Sequence, residues 1–417
     1  MKEKAGSIRY SILFLLFFAT TINYIDRQVI GILKPYIESD LGWSEFDYGL
    51  IVTAFQVAYA AGLLITGVVI DKFGTRIGYA VAVAIWSIAG ALHAAARSAF
   101  SFALARFFLG LGESANFPAA IKTVAEWFPR RERAHATGWF NSGSTIGAIA
   151  APVIVTGITV TMGWQWAFII TGALGLIWIF CWLLFYYPPA NHPRLSEAER
   201  EYIVQDSNVT DSTSNVKWTD LFRHRQTYAL CATRFISDWV WWFFLFWTPD
   251  FLHKMHGINL KEAMLPLIII YGVASLGGIG GGWISSYLIG KGRSVDYSRK
   301  FAILISAVVV LPIMFVPQIN NLWLTVVMIA VGCAGHCGWA ANMFTMISDI
   351  YPKNAVGSMT GLAGFTAAAG GALSASFVGY ILEATGSYFL IFAIASSVYV
   401  INWLVIKIFI PEIKPIC

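Results

Sequence analysis

The chain of 417 residues is 57% hydrophobic, 15% aromatic and only 12% charged. A soluble domain would carry about 25% charged residues, so the composition excludes a soluble globular protein and predicts a polytopic membrane protein. The net charge of +5 comes without a basic tract interleaved with aromatic residues, which argues against nucleic acid as a partner.

Twelve apolar stretches predict twelve membrane-spanning helices. A helix needs about 20 residues to cross about 30 Å of hydrocarbon. The first stretch has no cleavage pattern and is followed by further stretches, so we expect a membrane helix and not a removable signal peptide. The stretches lie at about 8–33, 47–70, 77–97, 100–124, 134–160, 165–187, 226–252, 263–290, 299–317, 321–347, 356–382 and 386–410.

Lysine and arginine residues concentrate in alternate loops between these stretches. Cytoplasmic loops carry such an excess, so both termini are predicted to be cytoplasmic. The loops on the opposite side hold Lys34, Arg97, Lys254 and Lys261. Short loops without a large outer domain suit a bacterial inner membrane.

The first stretch carries two charged residues, Asp26 and Arg27, with apolar residues on both sides. A charge at bilayer depth costs about 2.5 to 3.5 kcal/mol and usually faces a partner or a water-filled cavity. We therefore expect this pair to lie at the centre of function. The alternative is a charge pair near a helix end that reaches the membrane surface.

A motif at the end of the second stretch contains Gly67, Asp71, Gly74 and Arg76 and predicts a tight cytoplasmic turn. Gly67 would let helices approach closely, and Gly74 would support a sharp turn. Asp71 would meet a helix N-terminus or an arginine of the next cytoplasmic loop, such as Arg133, and so latch a gate. The spacing G-x-x-x-D-[KR]-x-G-x-[KR] is similar to the signature loop of the major facilitator superfamily. A generic charged turn is the alternative.

The fourth stretch contains Arg106, Glu113 and Asn116. Their spacing of seven and ten residues places the three side chains on one face of a helix with 3.6 residues per turn. Glu113 and Asp26 are the acids that lie well inside the predicted spans of the first half. They are therefore candidates for binding a coupling proton.

A long polar segment at about 188–224 begins with two prolines. It predicts a cytoplasmic linker between an N-terminal six-helix bundle at 1–187 and a C-terminal six-helix bundle at 225–417. Two such halves are typical of transporters whose bundles rock about a site near the membrane midplane.

The seventh and tenth stretches carry polar residues among aromatic ones. Arg234 and Asp238 are four residues apart and would either neutralise each other or line a transport pathway. His336, Trp339 and Asn342 advance by three residues along the tenth stretch. We expect these three side chains to face a cavity.

The patterns N-Y-x-D-R in the first stretch and R-x-x-x-G-x-G-E-x-x-N-x-P in the fourth resemble the anion:cation symporter family of the same superfamily. The seventh and tenth stretches are similar to its branch of bacterial hexuronate transporters. The resemblance covers the whole chain except the linker and the tails. It implies an all-α integral membrane protein with twelve transmembrane helices in two six-helix bundles around a central cavity. It also implies uptake of a sugar-acid anion such as galacturonate or glucuronate.

A sugar acid offers one carboxylate and several hydroxyl groups to its binding site. Arg27 and Arg106 suit the carboxylate, because a guanidinium can bind it through two hydrogen bonds. The indole rings of Trp239 and Trp339 suit the apolar face of the sugar. The polar residues expected to bind the hydroxyl groups are Tyr24, Gln56, Tyr59, Asn116, Ser144, His336 and Asn342.

Uphill uptake of an anion requires a coupled cation. A neighbouring arginine favours the ionised form of a carboxylate and dehydration favours the protonated form, so alternating access could switch Asp26 and Glu113 between the two forms. We expect these acids to bind the coupling protons. Arg27 and Arg106 would then exchange partners between the acids and the substrate.

The expected partners are a small carboxylate, a coupling proton and the lipid bilayer. The protein is expected to work as a monomer, without a cofactor or a metal ion. One alternative is a proton- or sodium-coupled carrier of another organic anion, such as galactonate, glucarate, an aromatic acid or phosphate. A transport-like sensor is a further alternative. A membrane enzyme would need a nucleophile with its base or a metal cluster, and no such constellation stands out in the sequence.

Overall fold

A computed structural model describes residues 8–204, 221–351 and 353–414 of the protein. The described part is helical and contains no β-strand. The α-helices are α1 (Ile8–Leu41), α2 (Glu45–Phe73), α3 (Thr75–Leu92), α4 (Ala99–Glu113), α5 (Asn116–Trp127), α6 (Arg130–Met162), α7 (Trp164–Phe185), α8 (Glu197–Val204), α9 (Arg225–His256), α10 (Leu260–Gly290), α11 (Val295–Val310), α12 (Leu322–Ile350), α13 (Lys353–Thr385) and α14 (Phe389–Phe409). Short 3-10 helices occupy His93–Ala95, Pro189–Asn191 and Leu311–Gln318.

Each of the twelve predicted spans coincides with a helical segment, which confirms the all-α fold. Within the described part, ten helices are long and apolar enough to cross a membrane by length and composition. The other two spans differ in character. The fourth is interrupted, because α4 ends at Glu113 and α5 begins at Asn116. The seventh, α9, carries Arg234, Asp238 and Asp250 among its aromatic residues.

Local side chains fix several helix ends. Asn259 forms a capping box with Glu262 at the start of α10, so that each side chain satisfies a backbone N–H of the other. Ser98 and Ser101 do the same at the start of α4. Gly257, with φ of 66°, ends α9 in the left-handed conformation. One or two residues therefore define the starts of α4 and α10 and the end of α9.

The described residues fall into two compact units. The first contains α1 up to Val29 and the chain from Val57 through α8. The second contains Ile30–Gln56 together with α9 to α14. The turn between α1 and α2 and the adjoining ends of both helices therefore pack within the second unit. The division at the linker into two six-helix bundles stays a prediction.

Glycine residues allow close helix contacts in the first unit. A Cβ atom at Gly147 of α6 would lie 2.5 Å from the carbonyl oxygen of Thr21 and 2.8 Å from Cβ of Tyr24. At Gly112 of α4, a Cβ atom would lie 2.7 Å from the backbone nitrogen of Trp86. These distances leave no room for a side chain. Glycine therefore permits α6 to approach α1 directly beside Tyr24.

Glycine residues also allow a close helix contact in the second unit, where α10 meets α12. A Cβ atom at Gly277 would lie 2.3 Å from Cα of Ala334, and one at Gly281 would lie 2.4 Å from Cα of Gly338. Small residues of this kind let backbones of membrane helices pack against each other. The polar residues of α12 are consequently held close to the backbone of α10.

The first half of α2 packs against α9 and α13 within the second unit. The Tyr48 hydroxyl donates a hydrogen bond to the carbonyl oxygen of Phe246 at 2.8 Å. A Cβ atom at Gly49 would lie 3.1 Å from Cα of Gly379. The helix is thus fixed to two partners by a buried hydrogen bond and a close backbone contact.

Candidate functional site

A buried ion pair joins α1 to α4 in the first unit. Nε of the Arg27 guanidinium donates a hydrogen bond to Oε2 of Glu113 at 2.8 Å, and Nη2 lies 2.7 Å from the same oxygen. The two side chains are 2% and 0% exposed. Charge-assisted hydrogen bonds are strong in such a setting because little water competes for them. The structure thus brings a predicted anion ligand together with a predicted proton-binding acid.

Two tyrosine rings flank the Arg27 guanidinium. Its central carbon lies 4.9 Å from the ring centroid of Tyr24 and 4.9 Å from that of Tyr59. Nη2 also donates to Oδ1 of Asn23 at 3.2 Å. Cation–π contacts are worth about 2 kcal/mol when desolvated. The predicted ligands Tyr24 and Tyr59 therefore help to hold the orientation of Arg27.

Arg106 of α4 lies against the backbone of α1. Its Nη2 donates to the carbonyl oxygen of Arg27 at 2.8 Å, and the residue is fully buried. The two predicted arginine ligands are therefore linked, through the side chain of one and the main chain of the other. Glu113 lies close enough to Arg106 for the opposite charges to interact. Arg106 therefore lies beside the pair of Arg27 and Glu113 in this unit.

Asp26 is buried, with 3% of its surface exposed. Within the described part of the chain, neither carboxylate oxygen has a hydrogen-bond partner of ordinary geometry. Thr171 of α7, Glu113 and Arg106 lie around it. Burial of a carboxylate is costly unless neighbouring groups offset its charge. The environment of Asp26 therefore differs from that of Glu113, which has an ion-pair partner.

Asn116 begins α5, directly after the interruption in the fourth span. The Tyr79 hydroxyl donates to its Oδ1 at 2.5 Å, and its Nδ2 donates to the Thr20 hydroxyl at 3.3 Å. Ser144 of α6 donates to the carbonyl oxygen of Asn141 at 2.7 Å. Both predicted hydroxyl ligands thus have partners within the first unit. Asn116 in addition links α5 to α1 and α3.

Arg234 and Asp238 form an ion pair along one face of α9 in the second unit. Nη2 of Arg234 lies 2.8 Å from Oδ2 of Asp238. The guanidinium carbon also lies 4.4 Å from the ring centroid of Phe344. The pairing that their spacing suggested is therefore present. A role of the pair in a transport pathway stays a prediction.

His336 lies among aromatic side chains in the second unit. Its Nδ1 is 2.7 Å from the Tyr399 hydroxyl, and its ring stacks on Trp241 at a centroid distance of 5.6 Å and an angle of 12°. Trp339 is fully buried and packs edge-on against Tyr399 at 5.8 Å. Trp239 is also buried. Tyr399 was missed from the sequence, because nothing in its apolar stretch indicates a polar partner.

Asn342 holds α12 to α10. Its Nδ2 donates to the carbonyl oxygens of Gly281 and Gly338, both at 2.9 Å. These glycines lie at the close contact between the two helices. His336, Trp339 and Asn342 thus lie in three different environments. Asn342 lies where the backbones of α10 and α12 meet.

The signature loop between α2 and α3 is a tight turn around Gly74, with φ of 77°. Arg76 donates from Nη2 to the carbonyl oxygen of Leu183 at 2.7 Å, and its guanidinium lies 3.9 Å from the ring centroid of Tyr187. Arg76 therefore ties the start of α3 to the end of α7. The predicted gating residues Gly67, Asp71 and Arg133 lie within helices, and their side chains are outside the described residues.

Five charged residues form a cluster in the second unit near the turn between α1 and α2. Lys34 is 1% exposed, and its Nζ lies 2.9 Å from Glu45 and 2.9 Å from Asp250. Glu38 lies 2.7 Å from the same ammonium group. Lys254 pairs with Glu45 and lies 3.4 Å from Asp250. We call these five residues the ionic cluster.

The ionic cluster was not predicted from the sequence. Lys254 and Glu45 are 209 positions apart, and charges near the ends of apolar stretches usually indicate only a membrane boundary. The carboxylates of Glu38, Glu45 and Asp250 are close enough together to share a cation. The ammonium groups of Lys34 and Lys254 already supply positive charge at that position.

Comparisons with known proteins agree with this architecture. A family model described as Major Facilitator Superfamily matches residues 16–375. The chain is 32% identical to the hexuronate transporter of Escherichia coli (strain K12) over 392 residues, which cover 92% of this chain and 90% of that protein. It is 35% identical to the galacturonate transporter of Dickeya chrysanthemi over 318 residues, 74% of this chain and 90% of that one.

A solved structure also resembles the fold. The crystal structure of a bacterial homologue of the human lysosomal transporter Spinster matches with a TM-score of 0.75 at 17% identity, covering 97% of this chain and 96% of that one. At this identity the similarity concerns the fold alone.

Proposed function

Because the chain belongs to the Major Facilitator Superfamily, whose members are multi-pass membrane transporters and not enzymes, we propose that it takes up a sugar-acid anion. The substrate is a hexuronate, such as galacturonate or glucuronate, and uptake occurs by proton symport through alternating access. The single observation that carries the proposal is the buried pair of Arg27 and Glu113, with Arg106 beside it.

The arginines supply the chemistry that a sugar-acid carboxylate needs. A guanidinium binds a carboxylate through two parallel hydrogen bonds, and its charge offsets the loss of hydration. In the structure two nitrogens of Arg27 approach one oxygen of Glu113, Oε2. An incoming substrate carboxylate would compete with Glu113 for Arg27. Protonation of Glu113 would release Arg27, which links proton binding to anion binding.

Asp26 supports the proposed coupling of anion uptake to protons. It sits next to Arg27 in α1 and is buried without a hydrogen-bond partner of ordinary geometry in the described part of the chain. Such a carboxylate would change its protonation when hydration changes. We therefore assign Asp26 and Glu113 to proton binding, with Asp26 responding to access of water and Glu113 to the presence of substrate.

Alternating access requires contacts near one end of the helices to break and re-form. The second unit provides a set of such contacts, since the ionic cluster and the hydrogen bond from Tyr48 to Phe246 tie the segment Ile30–Gln56 to α9. In the proposed cycle these contacts are released when substrate enters from that end. Asp71 and Arg133 would form the latch of the other end.

We further propose that both termini face the cytoplasm of a bacterial inner membrane and that the monomer is the functional form. The excess of lysine and arginine in alternate loops supports this orientation. Reporter domains fused to each terminus test it, because a periplasmic reporter active at either end would contradict it.

The proposed function is tested by counterflow in proteoliposomes that contain the purified protein. The vesicles would be loaded with one unlabelled anion, and uptake of the same labelled anion would be measured with and without a sodium gradient. The anions are galacturonate, glucuronate, galactonate, glucarate, an aromatic acid and phosphate. We expect galacturonate or glucuronate to exchange most rapidly, without a need for sodium. Fastest exchange of another anion, or dependence on sodium, would favour the alternative carrier.

A further inference from the structure

The imidazole ring of His336 is held on several sides by aromatic residues. Trp241 stacks on it, Trp339 packs at a tilt with a centroid distance of 6.1 Å, and the Tyr399 ring meets it edge-on at 6.0 Å. The ring also accepts or donates one hydrogen bond, between Nδ1 and the Tyr399 hydroxyl at 2.7 Å. A side chain packed in this way cannot rotate freely, so the direction of its second nitrogen is fixed.

The hydrogen bond to Tyr399 determines which ring nitrogen carries the proton. If Nδ1 donated, the Tyr399 hydroxyl hydrogen would need another acceptor, and among the described residues the hydroxyl makes no other hydrogen bond. A buried hydroxyl without an acceptor is costly. The satisfied arrangement has the Tyr399 hydroxyl donating to Nδ1. In the neutral ring the proton then resides on Nε2.

Nε2 of His336 is left available for a ligand. It makes no hydrogen bond with a residue of the described ranges, yet it is not among the polar atoms sealed from solvent. The residue as a whole is buried, with 6% exposed. A fixed N–H group that retains solvent access at the edge of an aromatic cage is suited to meet an acceptor on a bound molecule.

We propose that Tyr399 is a positioning residue that fixes His336 as an Nε2–H donor to an uncharged oxygen of the substrate. The inference rests on the proposed function and adds to it a specificity contact. The acceptor is a hydroxyl or ring oxygen of the sugar, because a neutral N–H brings no charge to balance a carboxylate. Trp241 and Trp339 keep the imidazole plane in place for this contact.

Two substitutions of His336 separate the ring nitrogens. Glutamine can place its amide nitrogen near the position of Nε2, whereas the shorter asparagine reaches only the position of Nδ1. We expect His336→Gln to keep the KM for galacturonate within about threefold of the wild-type value. His336→Asn should raise it about tenfold, the loss of one hydrogen bond of about 1.4 kcal/mol. An equal KM for the two variants would overturn the inference.

Tyr399→Phe tests whether the tyrosine acts through the histidine. In the wild-type background we expect a rise of KM of about fivefold with a nearly unchanged maximal rate, since the ring loses its fixed tautomer. In the His336→Gln background the same substitution should have almost no effect. A purely structural role would give the same change in both backgrounds, and that result would overturn the inference.

Tyr271→Phe is the matched control. Tyr271 is a buried tyrosine of the same unit whose ring also packs against Trp241, at 6.5 Å, but whose hydroxyl bonds to the Phe244 carbonyl oxygen, at 3.5 Å, and not to His336. We expect its KM to stay at the wild-type value in both backgrounds. An equal rise in KM for this control would show that loss of any buried hydroxyl has the effect, and would overturn the inference.

The tautomer can also be read without transport. Nitrogen-15 NMR of protein labelled at histidine, with the His336 signals assigned by their loss in His336→Gln, should show a proton on Nε2. A proton on Nδ1 would overturn the inference even if a variant folds poorly. If the wild-type protein exchanges no sugar acid, the proposed function and this inference both fail. If it exchanges them normally but the Gln and Asn variants behave alike, only the inference fails.

Discussion

Arg27 and Glu113 form an ion pair between α1 and α4 that is almost completely shielded from solvent, with 2.7 Å between Nη2 and Oε2. Buried ion pairs contribute little to stability on balance, because desolvation offsets most of the attraction. Removing one partner, however, leaves an uncompensated charge. We propose that this pair, beside a second arginine, serves an exchange of partners and not the stabilisation of the fold.

Replacement of Glu113 by glutamine should uncouple transport. The variant keeps the shape of the side chain but can no longer compete for Arg27 as an anion or bind a proton. We expect substrate exchange to persist while the pH dependence of uptake flattens, measured as initial rates between pH 5 and pH 8, roughly the range in which coupled carboxylates titrate. Glu197→Gln, at an exposed carboxylate of α8, serves as control. A normal pH profile for Glu113→Gln would remove Glu113 from the coupling role.

Replacement of Arg106 should abolish anion binding. Truncating a buried charged partner costs about 2 to 5 kcal/mol, so Arg106→Ala should weaken substrate affinity by at least about 30-fold in calorimetry. Arg106→Lys retains the charge but lacks the planar fork, and it should also bind weakly. Arg293→Ala, at an exposed arginine, is the control. Intact affinity of either Arg106 variant, in protein of normal thermal stability, would contradict its role as an anion ligand.

Gly147→Ala should weaken binding through the position of α1. The added methyl group would lie 2.5 Å from the Thr21 carbonyl oxygen and 2.8 Å from Cβ of Tyr24, so α6 must move away from the helix that carries Arg27. We expect a lower midpoint of thermal unfolding and a higher KM. Gly157→Ala on the same helix, where no atom lies within 4 Å, should change neither. Equal behaviour of the two variants would show that the close contact is not needed.

Lys34→Met should destabilise the ionic cluster. The substitution leaves Glu38, Glu45 and Asp250 facing one another with Lys254 as the remaining cation of the ionic cluster among the described residues. Loss of one partner in a buried network costs about 3 to 5 kcal/mol, so we expect a clearly lower midpoint of thermal unfolding. Lys414→Met is the control, because its pair with Glu412 is exposed and exposed pairs contribute at most about 1 kcal/mol. Unchanged stability of Lys34→Met would show that the cluster does not hold α1 and α2 in place.

Much of the fold follows from the sequence because apolar length is a strong constraint in a membrane protein. Each predicted span coincides with a helical segment, and the expensive charges Asp26, Arg27 and Glu113 were identified by their place in apolar runs. The pairing of Arg27 with Glu113 follows less directly. It depends on the close packing of α4 and α6 that Gly112 and Gly147 permit. The pattern of residues along a single helix gives no information about such contacts between helices.

Other features depend on contacts that local spacing cannot reveal. The interruption between Glu113 and Asn116 divides an apolar stretch that looked continuous. Asn342 matches the spacing of His336 and Trp339, yet its amide bonds to the backbone carbonyls of Gly281 and Gly338. The groups that Asn342 contacts are backbone carbonyls, one of them on another helix. Side-chain type alone therefore identifies candidates, and packing decides what they contact.

The most direct test of proton-coupled sugar-acid transport compares Asp26→Asn with the wild-type protein in the same proteoliposomes. Two quantities are measured for galacturonate, namely exchange at equal pH and accumulation driven by an imposed proton gradient. We expect the wild-type protein to do both, whereas Asp26→Asn should exchange substrate at a comparable rate but fail to accumulate it. Undiminished gradient-driven accumulation by Asp26→Asn would contradict the assignment of the coupling proton to this carboxylate.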